Sequence, residues 1–344
     1  MYAAALTSGT KIFAVAPMIN WTDRHCRYLH RQLSRHALLY TEMVVADAII
    51  HGPRDRLLSH DPVEHPVALQ LGGSDPFKMA QATRIALDYG YDEINMNVGC
   101  PSDRVQSGTF GACLMLEPDV VARCIAAMKS VSNVPVTVKC RIGVDDQDPE
   151  IALRQLAAKV FDAGADALWV HARKAWLNGL SPKENREIPP LDYDLVYRLK
   201  GEYPDRFIGI NGGIETLIEA KKHLEQMDGV MLGRAAYHNA SMLLEVDRSL
   251  FAAADEPVSV AVLQKVMQDY AARHMANGGR LHHITRHMVG LFQGQSGAKK
   301  FRQILSTDAT RTGAGAGVIE KAFAALRLDE DRSSANPAFS ASAE

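Results

Sequence analysis

The segment Glu93-Ile94-Asn95-Met96-Asn97-Val98-Gly99-Cys100-Pro101-Ser102 has the pattern of a short β-strand that ends in a sharp turn. Because side chains alternate across a strand, its glutamate and both asparagines fall on one face, which is unusual in a strand that should be buried. The glycine and the proline break the strand and leave Cys100 on the loop at its carboxyl end. A thiol there can exchange a proton with a bound substrate, although most cysteines are simply buried. The flanking asparagines favour the functional interpretation.

The same form recurs along the chain: a short apolar run, a turn, and then a helical stretch. Strands that alternate with helices predict a parallel sheet. Eight such units in succession favour a closed (β/α)8 TIM barrel of the α/β class, with an open doubly wound sheet as the alternative. The predicted strands are 13–18, 38–44, 66–71, 93–98, 135–141, 167–171, 207–211 and 229–232, with amphipathic segments such as 77–89, 118–131 and 151–163 between them.

The composition is that of a globular chain with a sizeable core: 344 residues, of which 47% are hydrophobic. No apolar run approaches the length of a membrane span, and the first residues lack the charged and apolar regions of a signal peptide. The cysteines at 26, 100, 113, 124 and 140 are odd in number and lack metal-ligand spacing. We therefore expect free thiols in a reducing cytosol and no metal site.

The strand pattern stops after about residue 255, and four helical segments follow at 257–275, 280–292, 298–305 and 318–326. This change predicts a catalytic barrel domain at 1–250 and a small helical domain at 255–328. The last stretch, 329–344, is rich in Ser, Ala and Asp, and we expect it to be disordered.

The helical region is basic. Residues 264–312 contain eight Lys or Arg and two acids, so this segment is +6 and, with a net charge of −2, the remainder is −8. Ser296 is a candidate N-cap for the helix at 298–305, on which Lys299 and Arg302 share one face. Cations beside a helix N-terminus suit backbone phosphates, although an ordinary solvated basic face is the alternative.

Glycines mark the ends of the last two predicted strands. Asn211-Gly212-Gly213 follows the seventh strand and Gly233-Arg234 follows the eighth. Backbone N–H groups beside glycines and a helix N-terminus can bind an anion closely, and a guanidinium adds a charged partner. Barrels of this kind often bind phosphate after strands seven and eight, so the pair predicts a phosphate site rather than two tight turns.

Four further strand-end residues suit a flavin. Lys139 in a barrel mouth is costly unless it meets an anion, and a flavin offers its phosphate and the N1–C2=O edge of the reduced ring. Gln70 could bond the polar edges of that ring, and Met18 could pack on its face. Met18 and His171 could equally be ordinary core residues.

Together these residues resemble the tRNA-dihydrouridine synthases over nearly the whole chain. The segment Met96-Asn97-Val98-Gly99-Cys100-Pro101 is close to that family's most specific signature, and Ala16-Pro17-Met18 matches at the start. The stretch Gly179-Leu180-Ser181-Pro182-Lys183-Glu184-Asn185-Arg186-Glu187-Ile188-Pro189-Pro190 is similar to the A-type bacterial subgroup.

The resemblance implies an enzyme that uses NADPH to reduce bound FMN and then reduces the C5–C6 double bond of D-loop uridines in tRNA, at positions 20 and 20a. The uridine leaves its stack to reach the flavin, because a stacked ring cannot enter the barrel. Flavin N5 gives a hydride to C6, and Cys100 as general acid donates a proton to C5.

The resemblance also implies a role for each matching residue. Asn97 and Arg141 hold the uracil. From their positions on the long loop after strand six and on the basic helix, Lys183, Arg186, Lys299 and Arg302 are the candidates for binding tRNA. FMN is held by Pro17, Met18, Ile19, Gln70, Lys139, His171, Asn211, Gly212, Gly213, Gly233 and Arg234. No G-x-G-x-x-G motif follows a strand, so we expect NADPH to use the flavin face transiently. We expect a monomer.

Two alternatives remain. A small-molecule FMN barrel, such as a dihydroorotate dehydrogenase, would share the phosphate site, a lysine and a cysteine-bearing loop, but it has no need of a basic helical tail. A non-catalytic tRNA-binding module would keep the basic tail and bind no flavin.

Overall fold

The computed structural model describes residues 1–101, 110–251, 253 and 256–327. Eight parallel strands form a closed barrel in chain order, which confirms the predicted TIM barrel and excludes the open sheet. They are β1 (Ile12–Val15), β2 (Leu38–Val45), β3 (Val67–Gly72), β4 (Glu93–Val98), β5 (Val136–Arg141), β6 (Ala167–His171), β7 (Phe207–Asn211) and β8 (Gly229–Leu232).

The predicted first strand, 13–18, runs too far. β1 ends at Val15 because the chain turns at Met18, whose carbonyl accepts hydrogen bonds from the N–H groups of Trp21 and Thr22. The Thr22 hydroxyl accepts a hydrogen bond from the Met18 N–H at 2.9 Å and so completes the turn. Met18 therefore lies on a loop at the carboxyl end of the barrel.

The helices up to residue 251 mostly alternate with the strands. Several begin at an Asp or Thr cap followed by proline or a capping box, as at Asp75, Asp148 and Thr216. They are α1 (Tyr2–Ser8), α2 (Arg24–Leu33), α3 (Ala46–His51), α4 (Arg54–Leu58), α5 (Pro76–Leu87), α6 (Pro118–Lys129), α7 (Pro149–Asp162), α8 (Tyr193–Glu202), α9 (Leu217–Leu224), α10 (Arg234–His238) and α11 (Val246–Phe251). Short 3-10 turns lie at Pro62–Glu64, Gly111–Leu116, Glu184–Arg186 and Ala240–Glu245.

One large side chain fills the barrel interior. Trp169 on β6 is fully buried, and a Cβ atom on Gly209 of β7 would lie 2.2 Å from its ring. A Cβ on Gly229 of β8 would lie 2.8 Å from the same ring. Tyr2 of α1 joins this cluster, its ring 4.6 Å from that of Phe207. The amino-terminal side of the barrel is therefore a packed floor.

The chain divides into two compact units, one of Met1–Tyr237 with Met242–Pro257, and the other of His238–Ser241 with the chain from Val258 onward. The second unit contains α12 (Val260–Ala276), α13 (His282–Met288), α14 (Ala298–Thr307), a 3-10 turn at Asp308–Thr310 and α15 (Gly317–Phe323). The predicted domain limits, 1–250 and 255–328, stay a prediction, and the predicted tail at 329–344 lies outside the described residues.

Three phenylalanines form the centre of the second unit. Phe292, Phe301 and Phe323 meet edge to face, with ring centroids 5.3 to 5.7 Å apart. The predicted helix at 280–292 is shorter than expected: α13 runs from His282 to Met288, and Phe292 has a φ of 58°, which a helix does not adopt. The predicted cap Ser296 is also wrong: Gly297, with a φ of 88°, is the N-cap of α14. A Cβ atom there would lie 2.1 Å from the Ala325 carbonyl oxygen, so only glycine fits.

Among the described residues, no helix combines the length and the apolar character that crossing a bilayer requires.

Candidate active site

A cavity of about 470 Å³ lies at the carboxyl ends of the barrel strands. Lys183 is exposed and is not among the described residues that line it, and Lys299 and Arg302 belong to the second unit. The other predicted site residues all line it: Pro17, Met18, Ile19, Gln70, Asn97, Cys100, Lys139, Arg141, His171, Arg186, Asn211, Gly212, Gly213, Gly233 and Arg234.

The turn that carries Cys100 is fixed by backbone contacts. The Asn97 side-chain oxygen accepts hydrogen bonds from the N–H groups of Gly99 and Cys100, both at 3.0 Å. The Cys100 carbonyl accepts a third from Ala112 at 2.9 Å. Gly99 lies against β5, where a Cβ atom would come within 3.3 Å of the Cys140 carbonyl carbon. The thiol thus starts from a rigid strand end and lines the cavity.

Asn97 and Gln70 are joined to each other. The Asn97 amide nitrogen donates to the Gln70 side-chain oxygen at 2.8 Å, and the Gln70 nitrogen donates to Asn95 at the same distance. Each cavity-lining amide therefore uses one N–H in the protein and has a second to offer to a ligand. Their predicted contacts with flavin and uracil stay predictions.

Arg141 braces the rim. Its guanidinium donates to three backbone carbonyls, those of Gly99 at 3.2 Å, Lys174 at 3.1 Å and Asn185 at 2.9 Å. It thereby ties the Cys100 turn to the long loop after β6. Burial, together with Arg186 and Arg173, lowers the pKa of Arg141 to about 10. It remains protonated at neutral pH, and its predicted contact with uracil stays a prediction.

Lys139 is a cation whose charge the protein leaves uncompensated. Its ammonium donates to the Asn211 side-chain oxygen at 3.0 Å, and no described carboxylate pairs with it. Burial and the neighbouring Arg141 lower the pKa of Lys139 to about 8. Burial and the same two cations lower the pKa of His171 well below its usual value, so its ring is neutral at pH 7. Such a site favours an anion.

The cavity walls have the features that a phosphate-bearing flat cofactor requires. Gly212 has a φ of 113°, and a Cβ there would lie 2.7 Å from the His171 ring. The buried His171 Nε2 has no hydrogen-bond partner among the described residues, so a ligand can satisfy it. A Cβ on Gly233 would meet only ordinary contacts at 3.4 Å and beyond, so the protein does not itself require glycine there. The absence of a side chain at this position leaves space for a ligand. These residues fit a flavin mononucleotide.

The outer rim contains a charge pair that the sequence reasoning missed. The Arg234 guanidinium forms a 2.6 Å ion pair with Glu187 and also approaches the Arg186 carbonyl. The buried Arg186 Nε has no partner among the described residues. Asn185 holds this loop by bonding the backbone of Trp176 and Leu180. The adjacent Arg-Glu in the sequence offered no sign of which cation the glutamate would meet.

A polar set lies beneath the cavity, and its member Thr137 was not predicted from the sequence. Glu93 and Asn95 share the face of Asn97, as expected, and both contact Thr137 on β5. The alternation along β4 was the available signal, but the partner on β5 depends on strand register.

A family model described as Dihydrouridine synthase (Dus) matches residues 14–327. The chain belongs to the dihydrouridine synthase family. Dihydrouridine synthases are flavin-dependent oxidoreductases that act on tRNA, which confirms the resemblance predicted from the sequence and accords with a cavity that fits a flavin.

Relatives of this chain include several proteins named tRNA-dihydrouridine(20/20a) synthase. That of Escherichia coli K12 is 55% identical over 321 residues, which cover 93% of this chain and 92% of the relative. That of Shewanella oneidensis is 53% identical over 319 residues, 93% and 95% of the two chains. The Vibrio cholerae protein is 53% identical over 318 residues, 92% and 97% of the two.

Proposed function

We propose that this chain reduces the C5–C6 double bond of uridines 20 and 20a in tRNA to give 5,6-dihydrouridine, with FMN as bound cofactor and NADPH as reductant. The observation that carries the proposal is that Cys100 and the uncompensated Lys139 line one cavity in a chain of this family. Cys100 supplies an acid and Lys139 supplies a site for an anion, and the reduction of a pyrimidine beside a flavin uses both.

We assign FMN binding to the residues that line the inner cavity. When bound and reduced by NADPH, FMN supplies the hydride that C6 of the uridine receives. Lys139 stabilises negative charge on the edge of the flavin ring. The His171 Nε2, which has no partner among the described residues, forms a hydrogen bond with FMN. Asn211, Gly212, Gly213, Gly233 and Arg234 hold the phosphate, and Pro17, Met18, Ile19 and Gln70 contact the ring.

The residues at the Cys100 turn act on the substrate. The target base must leave its stack to enter the cavity, because stacking covers the ring faces and keeps the ring away from the flavin. Asn97 and Arg141 hold the uracil edge, and Cys100 transfers its thiol proton to C5. Hydride at C6 and proton at C5 together saturate the double bond, and the resulting thiolate regains a proton from solvent.

We assign tRNA backbone contacts to four cations. Arg186 and Lys183 belong to the loop after β6, and Lys299 and Arg302 are exposed on α14. We propose that the helical region, 255–328, is the tRNA-binding domain and that the protein acts as a monomer in the cytoplasm, where its substrate is.

The direct test is to incubate the purified protein with unmodified tRNA, FMN and NADPH and to map dihydrouridine by sequencing. Product at positions 20 and 20a supports the proposal, and product elsewhere corrects the positions. Turnover of free uracil or dihydroorotate at the same rate as tRNA would overturn the tRNA assignment in favour of a small-molecule barrel. Failure to bind FMN would leave only a tRNA-binding module.

Replacing the acid tests its role. Cys100→Ala should keep FMN and tRNA binding but slow single-turnover reduction of tRNA by roughly 100-fold or more, because the proton donor is lost. Cys113→Ala is the matched control, since that thiol donates to the Phe110 carbonyl and does not line the cavity. A single-turnover rate for Cys100→Ala equal to that of the control would refute the assignment.

A further inference from the structure

A continuous chain of hydrogen bonds runs from the Cys100 turn into the barrel interior. Asn97 donates to Gln70 at 2.8 Å, Gln70 to Asn95 at 2.8 Å, and Asn95 to the Thr137 hydroxyl at 2.7 Å. Thr137 donates to the Glu93 carboxylate. The chain crosses β3, β4 and β5, whose register places Gln70 and Thr137 on either side of Asn95.

The members of this chain are deeply buried. Glu93, Asn95 and Thr137 are each 0% exposed, Gln70 is 1% and Asn97 is 8% exposed. Only Gln70 and Asn97 line the cavity; the other three do not. Below the cavity, water therefore does not compete for these bonds, and the donors of Asn95 and Thr137 must find their acceptors within the protein.

The two ends of the chain impose the same direction on every bond. At the upper end, the backbone N–H groups of Gly99 and Cys100 are donors only, so Asn97 must present its oxygen to them. At the lower end, the Thr137 hydroxyl donates its single hydrogen to a Glu93 carboxyl oxygen. Thr137 can then only accept from Asn95. The carboxylate thus fixes which way all three amides face.

Two tyrosines donate the remaining hydrogen bonds to the Glu93 carboxylate. Tyr40 donates to one Glu93 oxygen at 2.5 Å and Tyr2 donates to the other at 2.5 Å. The Trp169 indole N–H donates to the Tyr2 hydroxyl at 3.1 Å. Glu93 is therefore held by donors from α1, β2 and β5, and none of these three partners is among the described residues that line the cavity.

We propose that Glu93 is a positioning residue for reduction of the substrate: acting through Thr137, Asn95 and Gln70, it fixes the direction of the Asn97 amide that holds the Cys100 turn. The inference rests on the proposed function, because it assumes that Cys100 is the acid. It predicts that breaking the chain at a point remote from the cavity slows the step that uses Cys100 and leaves ligand binding intact.

The test breaks the chain of hydrogen bonds at Thr137, which joins the Glu93 carboxylate to the amide of Asn95. Thr137→Val keeps the shape and removes the hydroxyl, whereas Thr137→Ser restores it. We expect Thr137→Val to lower the single-turnover rate of reduction at saturating tRNA by roughly 10-fold, with flavin content, the rate of flavin reduction by NADPH and tRNA affinity unchanged. Thr137→Ser should return the rate to within about twofold of wild type.

A second pair tests the same chain at its lower end. Glu93→Leu removes the acceptor, and Glu93→Gln keeps an oxygen that can face Thr137. We expect the leucine variant to lose rate and the glutamine variant to retain most of it. Thr83→Val is the matched control, because the Thr83 hydroxyl is buried without a partner among the described residues and lies on α5, away from the cavity. If Thr137→Val does not fold, the Glu93 pair decides.

The outcomes separate the inference from the proposed function. If Thr137→Val reduces tRNA as fast as wild type, or if Thr137→Ser is as slow as Thr137→Val, the positioning role is wrong. If both Glu93 variants lose rate equally, it is also wrong. If Cys100→Ala measured alongside is as fast as wild type, it is the assignment of Cys100 that fails.

Discussion

Glu93 and Lys139 bear charges of opposite sign on neighbouring strands of one barrel, and the protein treats them differently. Glu93 lies near the floor and receives hydrogen bonds from Tyr2, Tyr40 and Thr137. Lys139 lies at the mouth, opposite Asn97 in strand register, and donates to the side chain of Asn211 alone among the described residues. The protein itself supplies the hydrogen-bond partners of Glu93, whereas the charge of Lys139 is left for a bound anion to compensate.

The difference teaches how to recognise function in a buried charge. A polar group whose partners are all supplied by the protein costs stability but fixes a geometry. A cation beside a second cation, with no carboxylate paired to it, is stabilised when an anion binds. The pKa values express this cost, since burial raises that of Glu93 to about 7 and lowers that of Lys139 to about 8.

The largest predicted effect concerns the pH dependence of stability. Burial raises the pKa of Glu93 from an ordinary value of 4.5 to about 7, against the opposing hydrogen bonds and with a small contribution from Asp166. Between these values the folded chain keeps a proton that the unfolded chain releases, so its contribution to stability falls as pH rises. We expect the free energy of unfolding to fall by roughly 3 kcal/mol more across this window in wild type than in Glu93→Gln.

Urea unfolding of both apoproteins at several pH values from 4.5 to 8 measures this difference. Parallel curves for wild type and Glu93→Gln would show that the carboxylate is not the group that titrates, and the contrast with Lys139 would fail.

Removal of the mouth cation should act on the ligand rather than on the fold. Lys139→Met is expected to weaken FMN binding roughly 30-fold, because a charge-assisted contact in a poorly solvated site is lost. The apoprotein should be as stable as wild type or more so, since an uncompensated buried cation is removed. Flavin titration and urea unfolding measure the two quantities separately.

The control for that variant is Lys129→Met, whose ammonium pairs with Asp166 outside the cavity. It should leave FMN affinity unchanged and lose a little stability. A Lys139→Met protein that binds FMN normally but unfolds more easily would place Lys139 in the same category as Glu93.

The smallest predicted effect concerns the salt dependence of tRNA binding through two exposed cations. Lys299 and Arg302 are exposed on α14, so each should add one screened phosphate contact. The double variant Lys299→Ala with Arg302→Ala is expected to reduce the slope of log affinity for tRNA against log salt by about 1.5 to 2. Lys265→Ala, whose ammonium pairs with Asp269, is the control. An unchanged slope in the double variant would exclude both cations from the tRNA surface.

Much of the barrel follows from local pattern. Apolar β-branched runs between amphipathic helices gave four of the strands to the residue, including Glu93–Val98 and Phe207–Asn211. The cavity residues could be predicted because a parallel barrel gathers its strand ends at one mouth. Proximity therefore follows from topology without knowledge of any contact.

Partners could not be predicted in the same way. Gln70 meets Asn95 and Asn97 because β3 and β4 pair in one particular register, and Arg141 reaches carbonyls more than 30 residues away in sequence. The error at Ser296 has a similar origin: the chain near Ala325 lies so close to Gly297 that the glycine, not the serine, begins the helix. Closure of the fold, rather than local preference, decides these contacts.

The indole of Trp169 has a consequence for how the family can vary. Its ring occupies the volume that side chains on Gly209 and Gly229 would need, so the three positions share one fixed space. A relative that gains a side chain at either glycine can fold only if residue 169 becomes smaller. Such a relative would also lose the N–H donor to Tyr2, and the Tyr2 hydroxyl, which donates to Glu93, would need another donor. We expect these positions to change together through evolution, as a linked group rather than one at a time.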